Sequence, residues 1–595
     1  MASRKRDVRG RGKTEVLARG VLATVALGSM LAGCATTPRY PLRAPLWRDT
    51  DLEPVTLACH ADPKPPQDNP AHQVCAPETY VSSFAWDAAD NLIFRPISEL
   101  FAIDPVGEAV NVNSVDEVPD SSWFVNRIGV RPMSNDEIAA GYCGTEVLDP
   151  KAADGAWSID QGKISGANPG FRVNVKGLGK FMLKSDPPKQ PERATGATSI
   201  ATRFYYAAGW WVPCDSVVYF RRSILSLKPG LTVTDNTGTT RPFDQAALDQ
   251  LLARASHRGE LVRMVASRWL PGRMIGPFTY EGRRKDDPAD VINHEDRRDL
   301  RGARLMAAWL GHFDSREQNT MSTWMAENEQ DPDSSPGYVR HWIMDLGDVF
   351  GSEWDWEGLS KRLNYAYYFD IGYVTEDFLT LGIQERPWDR AERSPDGKIF
   401  GFFRSNDFDP ETWRGGYPNP AFNRMTERDG AWAARIVARF TRGNVEAAVR
   451  VGDFTDRRHT AFLVHHLLVR QHRILERYFA KLSPVTDLSI DGTMLCGVDL
   501  ARKTATYPAG QFRYSAVVHA GSELQDRTAA AAMPGENGRI CVSLPHVAAD
   551  GGAPDDAASR YLRVDIWNGK APAPLRVHLY DLGPQRGFRQ VGLER

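Results

Sequence analysis

His312-Phe-Asp314-Ser-Arg316-Glu-Gln-Asn319, followed by Asp345-Leu-Gly347, is the stretch that decides how this chain is read. Its surroundings are patterned. Upstream, from Glu295 onward, Leu300, Ala303, Ala307 and Leu310 recur at helical spacing on one face, and Gly311 is placed to cap that helix just before His312. Arg297, Arg298, Arg301 and Arg304 fall on the other faces and read as a solvated surface. Downstream, Met321–Met325 and Tyr338–Met344 read as two strands joined through the acidic, Pro-containing loop Glu327–Pro336. That hairpin brings Asp345 back toward the loop that holds Asp314 and Asn319.

The pattern H-x-D-x-x-x-x-N, with D-x-G on the next hairpin, resembles the phosphoryl-transfer motifs of protein kinases. The chain is similar to the atypical kinase-like branch that includes the spore-coat protein H kinases and the HipA-type kinases, over roughly residues 155–482. The resemblance implies an α+β fold, with a bilobal protein-kinase-like domain. It implies that Asp314 is the catalytic base, that Arg316 neutralises the transferring group, and that Asn319 and Asp345 ligate Mg²⁺ or Mn²⁺ carrying ATP. Lys184, ending Phe181-Met-Leu-Lys184, would hold the nucleotide phosphates, and His312 would bridge its loop to the D-x-G backbone. The turn Ser165-Gly166-Ala-Asn-Pro-Gly170 sits where a phosphate-covering loop would lie, which makes Gly166 and Gly170 cofactor-binding candidates. It departs from G-x-G-x-x-G, and a plain β-turn accounts for it equally well. A second departure lies in the helix Gly196–Ala208, ended by Gly209 and Pro213: Thr198 or Ser199 stands where a kinase helix carries Glu, and Glu192 precedes the helix.

Outward from this core the chain divides by composition. Residues 1–33 read as a signal peptide, 34–80 as a Pro- and Asp-rich tether, and 81–154 as an ordered extension with apolar anchors at Ile97–Leu100 and Trp123–Val125. Residues 155–275 are strand-rich, with Trp157–Ile159, Phe171–Val175 and Lys180–Lys184 separated by Gly turns; they would form the small lobe. Residues 276–483 would form the large lobe, completed by amphipathic helices at Trp432–Phe440 and Thr460–Leu482. From 484 to 595, Tyr561–Ile566 and Leu575–Leu579 alternate with period two, and a C-terminal all-β sandwich is expected.

The N-terminus speaks to location. Arg4, Lys5, Arg6, Arg9, Arg11 and Lys13 precede an apolar run, Val16–Leu31, that ends in Leu31-Ala-Gly-Cys34. A basic head, a short apolar core and small residues at the cut mark an export signal. Leu-Ala-Gly-Cys resembles the lipobox of bacterial lipoproteins, which implies lipidation of Cys34 and a membrane partner; Ala35, in place of the Asp that retains lipoproteins at the inner membrane, points to the outer one. The competing reading is an ordinary signal peptide cut near Ala-x-Ala. The other six cysteines, Cys59, Cys75, Cys143, Cys214, Cys496 and Cys541, suit an oxidising compartment. Sequence proximity favours 59–75, 143–214 and 496–541 among fifteen possible pairings.

Composition narrows the function further. With 42% hydrophobic and 25% charged residues and a net charge of −2, the chain is ordinary globular material without the basic excess of nucleic-acid binders. It has no H-E-x-x-H and no G-x-S-x-G, and His465, His466 and His472 read as solvated or packed helix residues rather than metal ligands. Two functions are expected. One is an envelope-tethered phosphotransferase that modifies a protein or small hydroxyl substrate. The other is a catalytically inactive kinase-fold lipoprotein that binds an envelope protein or glycan through its C-terminal domain.

Overall fold

In a computed structural model of the chain, the residues described are 40–42, 47–101, 105–144, 147–163, 168–234, 239–521, 524–547 and 560–595. The fold is mixed α+β. Three strands open the first sheet: β1 (Trp157–Lys163), β2 (Gly170–Val175) and β3 (Gly179–Lys184). Their apolar positions alternate inward: Trp157, Ile159, Phe171, Val173 and Leu183 are wholly buried against Leu248, Leu251 and Leu252 of the helix Gln245–Arg254. Helix α1 (Arg193–Ala208) follows, then β4 (Asp215–Phe220) and β5 (Leu261–Arg268). Strand β5 pairs antiparallel with both β3 and β4, so Lys184 lies opposite Val265 in mid-sheet.

Small residues in α1 have a packing reason. A Cβ on Gly196 would come within 2.6 Å of the Phe454 ring, and one on Gly209, at the C-cap with φ +136°, would strike Phe124. Helix α2 (Arg298–Leu310) ends at Gly311 in the left-handed conformation, as the pattern predicts. Gly302 of α2 lets Trp432 of α3 (Glu427–Val437) close to a separation that a Cβ would reduce to 2.7 Å. Helix α4 (Arg457–Phe479) completes this core, with Trp309 Nε1 donating to the Leu467 carbonyl at 2.8 Å.

A three-stranded sheet joins the two halves of the site. Strand β6 (Arg273–Gly276) pairs with β7 (Thr320–Ala326), which pairs with β8 (Gly337–Ile343). The register runs from Thr320↔Ile343 to Ala326↔Gly337, and Met344 N donates to the Asn319 carbonyl at 2.9 Å. The hairpin therefore sets Asn319 and Asp345 side by side at one end. Toward the C-terminus, a four-stranded sheet (Val485–Asp491, Met494–Asp499, Arg539–Ser543, Ala532–Pro534) and a five-stranded one (Asp526–Ala530, Ser515–Ala520, Tyr561–Trp567, Leu575–Asp581, Phe588–Glu594) enclose one apolar cluster, with Leu495 and Val542 from the first meeting Val518, Val564 and Val577 from the second.

The disulfides are Cys59–Cys75, Cys143–Cys214 and Cys496–Cys541. The second closes a loop that contains β1, β2, β3 and α1. Among the described residues, no helix is long and apolar enough to cross a membrane.

The arginines of α2 overturn one expectation. Arg297, Arg298 and Arg301 are at most 2% exposed, not solvated. Arg298 meets Asp116 at 2.6 Å and Asp429 at 3.1 Å, Arg297 meets Asp49 at 2.9 Å, and Arg301 meets Asp296 at 2.7 Å. Arg304 donates to the carbonyls of Pro410, Glu411 and Trp413. Their partners are Asp49 from the 34–80 segment, Asp116 from the N-terminal extension, Asp429 of α3, the loop carbonyls before α3 and, for Arg301, the adjacent Asp296, so most of the charges that a helical pattern assigns to water are satisfied by distant chain.

Candidate functional site

Lys184 ends β3, and its Nζ lies 2.7 Å from Asp345 Oδ1, a contact across 161 residues of sequence. The Asp345 backbone is left-handed, φ +52° and ψ +48°, a conformation that Asp tolerates better than most side chains. The turn is held from α1: Arg193 donates to the Gly347 carbonyl at 2.6 Å and to that of Val349 at 3.2 Å. A Cβ on Gly347 would come within 3.1 Å of Asn168 Nδ2 and 3.3 Å of Thr198 Oγ1, so the β1–β2 turn and α1 both close on this glycine.

Asp314 and Asn319 form the other wall. Asn319 Nδ2 donates to Asp314 Oδ2 at 2.7 Å and to the Asp314 carbonyl at 2.8 Å, which folds the loop back on itself. Arg316 Nε lies 3.0 Å from Asp314 Oδ1, and its guanidinium stacks 5.0 Å from the Tyr417 ring centre. His312 differs from the expectation of a bridge to the D-x-G backbone: its Nδ1 shares a 3.0 Å hydrogen bond with Tyr205 OH of α1. Burial lowers its pKa to about 4, and the imidazole is neutral.

The electrostatics show how close the carboxylates are. Burial raises Asp314 to about 7; Arg316 opposes this, and the negative charges of Asp348 and Asp345 add to it. Asp348 is likewise raised, by burial first, then by Asp345, against Arg193. Asp345 alone is lowered, by the charge of Lys184. Burial would lower Lys184, but the charge and hydrogen bond of Asp345 outweigh it and raise the ammonium pKa. The Asp345 side chain keeps 42% of its surface accessible, against 13% for Asp314.

The remaining candidates sort as follows. Gly170 is the cross-strand partner of Lys184, and a Cβ there would meet the Leu183 carbonyl at 1.9 Å; glycine is required because the strands approach so closely. Gly166 and Cys34 lie outside the described residues. Thr198 Oγ1 donates within its own helix to Ala194, Ser199 Oγ donates to the Asp215 carbonyl, and the Glu192 carboxylate receives Thr455 N at 2.8 Å. Lys184 thus pairs with Asp345 and not with an acid of α1. Among the described residues, no three His, Cys, Asp or Glu side chains converge as a metal cluster; His465 is exposed and His466 bonds Ser405.

Four neighbours carry little signal in the sequence. Asp348 follows Asp345 by three residues, and that short spacing is the one clue to it. Lys163, at the end of β1, donates to the Asn168 carbonyl at 3.1 Å, and its pKa is lowered by burial and by the charge of Lys184. Asp215 of β4, raised to about 6 by burial, accepts from Ser267 and contributes to the field at Lys184. Arg193 marks the start of α1, where only the fold reveals its reach. A scan of protein-family models gives no matching family, and no curated protein or solved structure matches the chain.

Proposed function

We propose that this protein is a kinase-like phosphotransferase, bilobal around the Lys184–Asp345 pair, that uses a metal-bound nucleotide to modify a hydroxyl group. The observation that carries the reading is that pair at 2.7 Å, beside the Asp314–Asn319 contact at 2.7 Å. A cation, two carboxylates and an amide, drawn from local structures far apart in sequence, support the reading.

The donor set fits a hard divalent cation. Asp345, Asp314 and the Asn319 amide offer only oxygen, and Mg²⁺ is commonly bound by one or two carboxylates plus substrate phosphates. When bound, Mg²⁺ or Mn²⁺ would neutralise phosphate charge, with Asp345 and Asn319 as its protein ligands. The chain's own residues supply the rest. Lys184, released from Asp345, holds phosphate oxygens. Asp314, with a pKa of about 7, accepts the proton of an acceptor hydroxyl near neutral pH. Arg316 stays against Asp314 and Tyr417 and orients the loop.

A second reading, a kinase-fold binding protein without transfer, draws on Thr198 and Ser199, whose hydroxyls are spent in and beside α1 where an acid would hold Lys184. In that reading the C-terminal sheets recognise an envelope protein or glycan. Under either reading, membrane attachment through Cys34 remains part of the proposal. Thermal melting with Mg²⁺ or Mn²⁺ and ATP separates the two. A stabilisation seen in the wild type and lost in Asp345→Asn, followed by radiolabel transfer that Asp314→Asn abolishes, supports the transferase; no shift in the wild type sinks it.

A further inference from the structure

Helix α4 carries apolar surface outside its core-facing stripe. Phe462, Leu463 and Leu467 are buried in the core, whereas Ala461 is exposed and Leu468 and Val469 are half-buried. These last three floor a groove of about 1060 Å³ that runs between α4 and the helix Arg442–Arg450 packed beside it. The turn between the two helices closes one end with Phe454, which is 7% exposed and seated against Gly196 of α1. Arg263 fixes that turn by donating to the carbonyls of Gly452 and Asp453, both at 2.6 Å.

The rim is cationic. Arg442 and Arg450 come from the first helix, Arg457 from the first turn of α4, and the exposed His465 and His472 from further along it, the latter 3.4 Å from Glu476. Two acids also line the groove, and both are already matched: Glu446 lies 3.7 Å from Arg442, and Asp453 lies 3.2 Å from Arg258. Arg450 and Arg457 are exposed, and neither side chain has a hydrogen bond or an ion pair with another described residue. Beside an apolar floor, the guanidinium groups of Arg450 and Arg457 are therefore left without carboxylates, in a chain whose net charge is −2.

A groove between two helices, apolar along its floor and cationic along its rim, is complementary to a helix whose apolar face is flanked by acids. We propose that this groove docks an acidic amphipathic helix of a partner protein, with aliphatic side chains over Ala461 and Leu468 and carboxylates at Arg450 and Arg457. Ala461 and Leu468 stand two helical turns apart on one face, the repeat at which one helix presents a stripe to another. From Arg457 to His472, α4 rises about 22 Å, the length of about four turns of a partner helix. The groove shares no lining residue with the Lys184–Asp345 pair or the Asp314 loop, so the proposal stands apart from the transfer reading.

The test is fluorescence anisotropy of the whole oxidised chain with a labelled peptide of about fifteen residues that carries Leu on one helical face and Glu on its flanks. Binding is expected with Kd below about 100 µM at low salt, weakening as salt rises. The same peptide with Lys in place of Glu should bind at least about tenfold more weakly. Arg450→Glu combined with Arg457→Glu should weaken the acidic peptide at least about tenfold, and Ala461→Glu by as much. All three positions are exposed, so melting should stay near that of the wild type. Ala461→Glu leaves the arginines in place and keeps the test sound if the double variant melts early. Failure of the acidic peptide to bind the wild type overturns the proposal, and so does equal affinity for the two peptides or in the variants. Binding of phosphatidylglycerol vesicles in place of the peptide, lost in Ala461→Glu, would assign the groove to a lipid surface and overturn it too.

Discussion

At the start of α2, Arg297, Arg298 and Arg301 meet Asp49, Asp116 and Asp296 and are sealed from water; beyond its end, Asp314, Asp345 and Asp348 act on one another, with Lys184 on Asp345. Around Arg298 the first group is balanced, although burial raises Asp299 and takes Asp51 to about 7 beside Arg297. Burial alone would raise Asp116, but Arg298, Arg435 and Arg595 hold it well below the usual carboxylate range. The second group is unbalanced: burial and mutual repulsion raise two carboxylates, and the one that is lowered has a partner it can exchange. Buried charge with full partners fixes a fold, whereas buried charge short of partners leaves room for a cation and a phosphate.

Cutting into the balanced group should have the largest effect. Arg298→Ala leaves Asp116 and Asp429 without their shared guanidinium and should cost about 3–5 kcal/mol, read from the denaturation midpoint or from loss of folded protein. In the open group the same kind of change should spare the fold and remove the chemistry. Asp314→Asn should lower phosphoryl transfer about 10²–10⁴-fold in a radiolabel assay while melting no lower than the wild type.

The pH dependence of Asp314 can be isolated by comparison with its amide variant. Asp314 has a folded pKa of about 7 against an ordinary 3.8, so the folded state favours its protonated form. Its contribution to stability is fully present below the unfolded value and is lost as pH rises through the folded one. Transfer should therefore rise through about pH 7, while wild-type stability falls relative to Asp314→Asn between the ordinary 3.8 and about 7 and levels off above. Melting curves and initial rates from pH 4 to 8, run on both proteins, check this. The smallest effect is expected at the cleft's own pair. Asp345→Asn keeps a side chain that tolerates left-handed backbone and, with the carboxylate partly exposed, should cost no more than about 1 kcal/mol in the absence of nucleotide.

Much of the local structure is legible in the chain. The α2 periodicity with Gly311, the β7–β8 pattern and the β1–β3 alternation all fall where residue spacing puts them, because each rests on contacts within one element. The environment of the candidate residues is less legible. Nothing near Arg298 in sequence announces Asp116 or Asp429, so the helix pattern assigns it to solvent. Gly170 reads as a loop glycine, yet its reason is the Leu183 carbonyl on the neighbouring strand. Partners brought together across 161 residues, as Lys184 and Asp345 are, leave no periodic trace that a single sequence can show.

The Cys143–Cys214 bridge has a practical consequence. It turns β1, β2, β3 and α1, and with them Lys184 and Arg193, into a covalent ring whose closure is worth about 4 kcal/mol by the usual chain-entropy account. Chain made recombinantly where thiols stay reduced forfeits that ring and delivers the lysine on a slack scaffold. A preparation from a reducing cytoplasm that binds no nucleotide would therefore reflect how it was manufactured. Only oxidised protein, with its thiols counted, puts the proposed activity to the test.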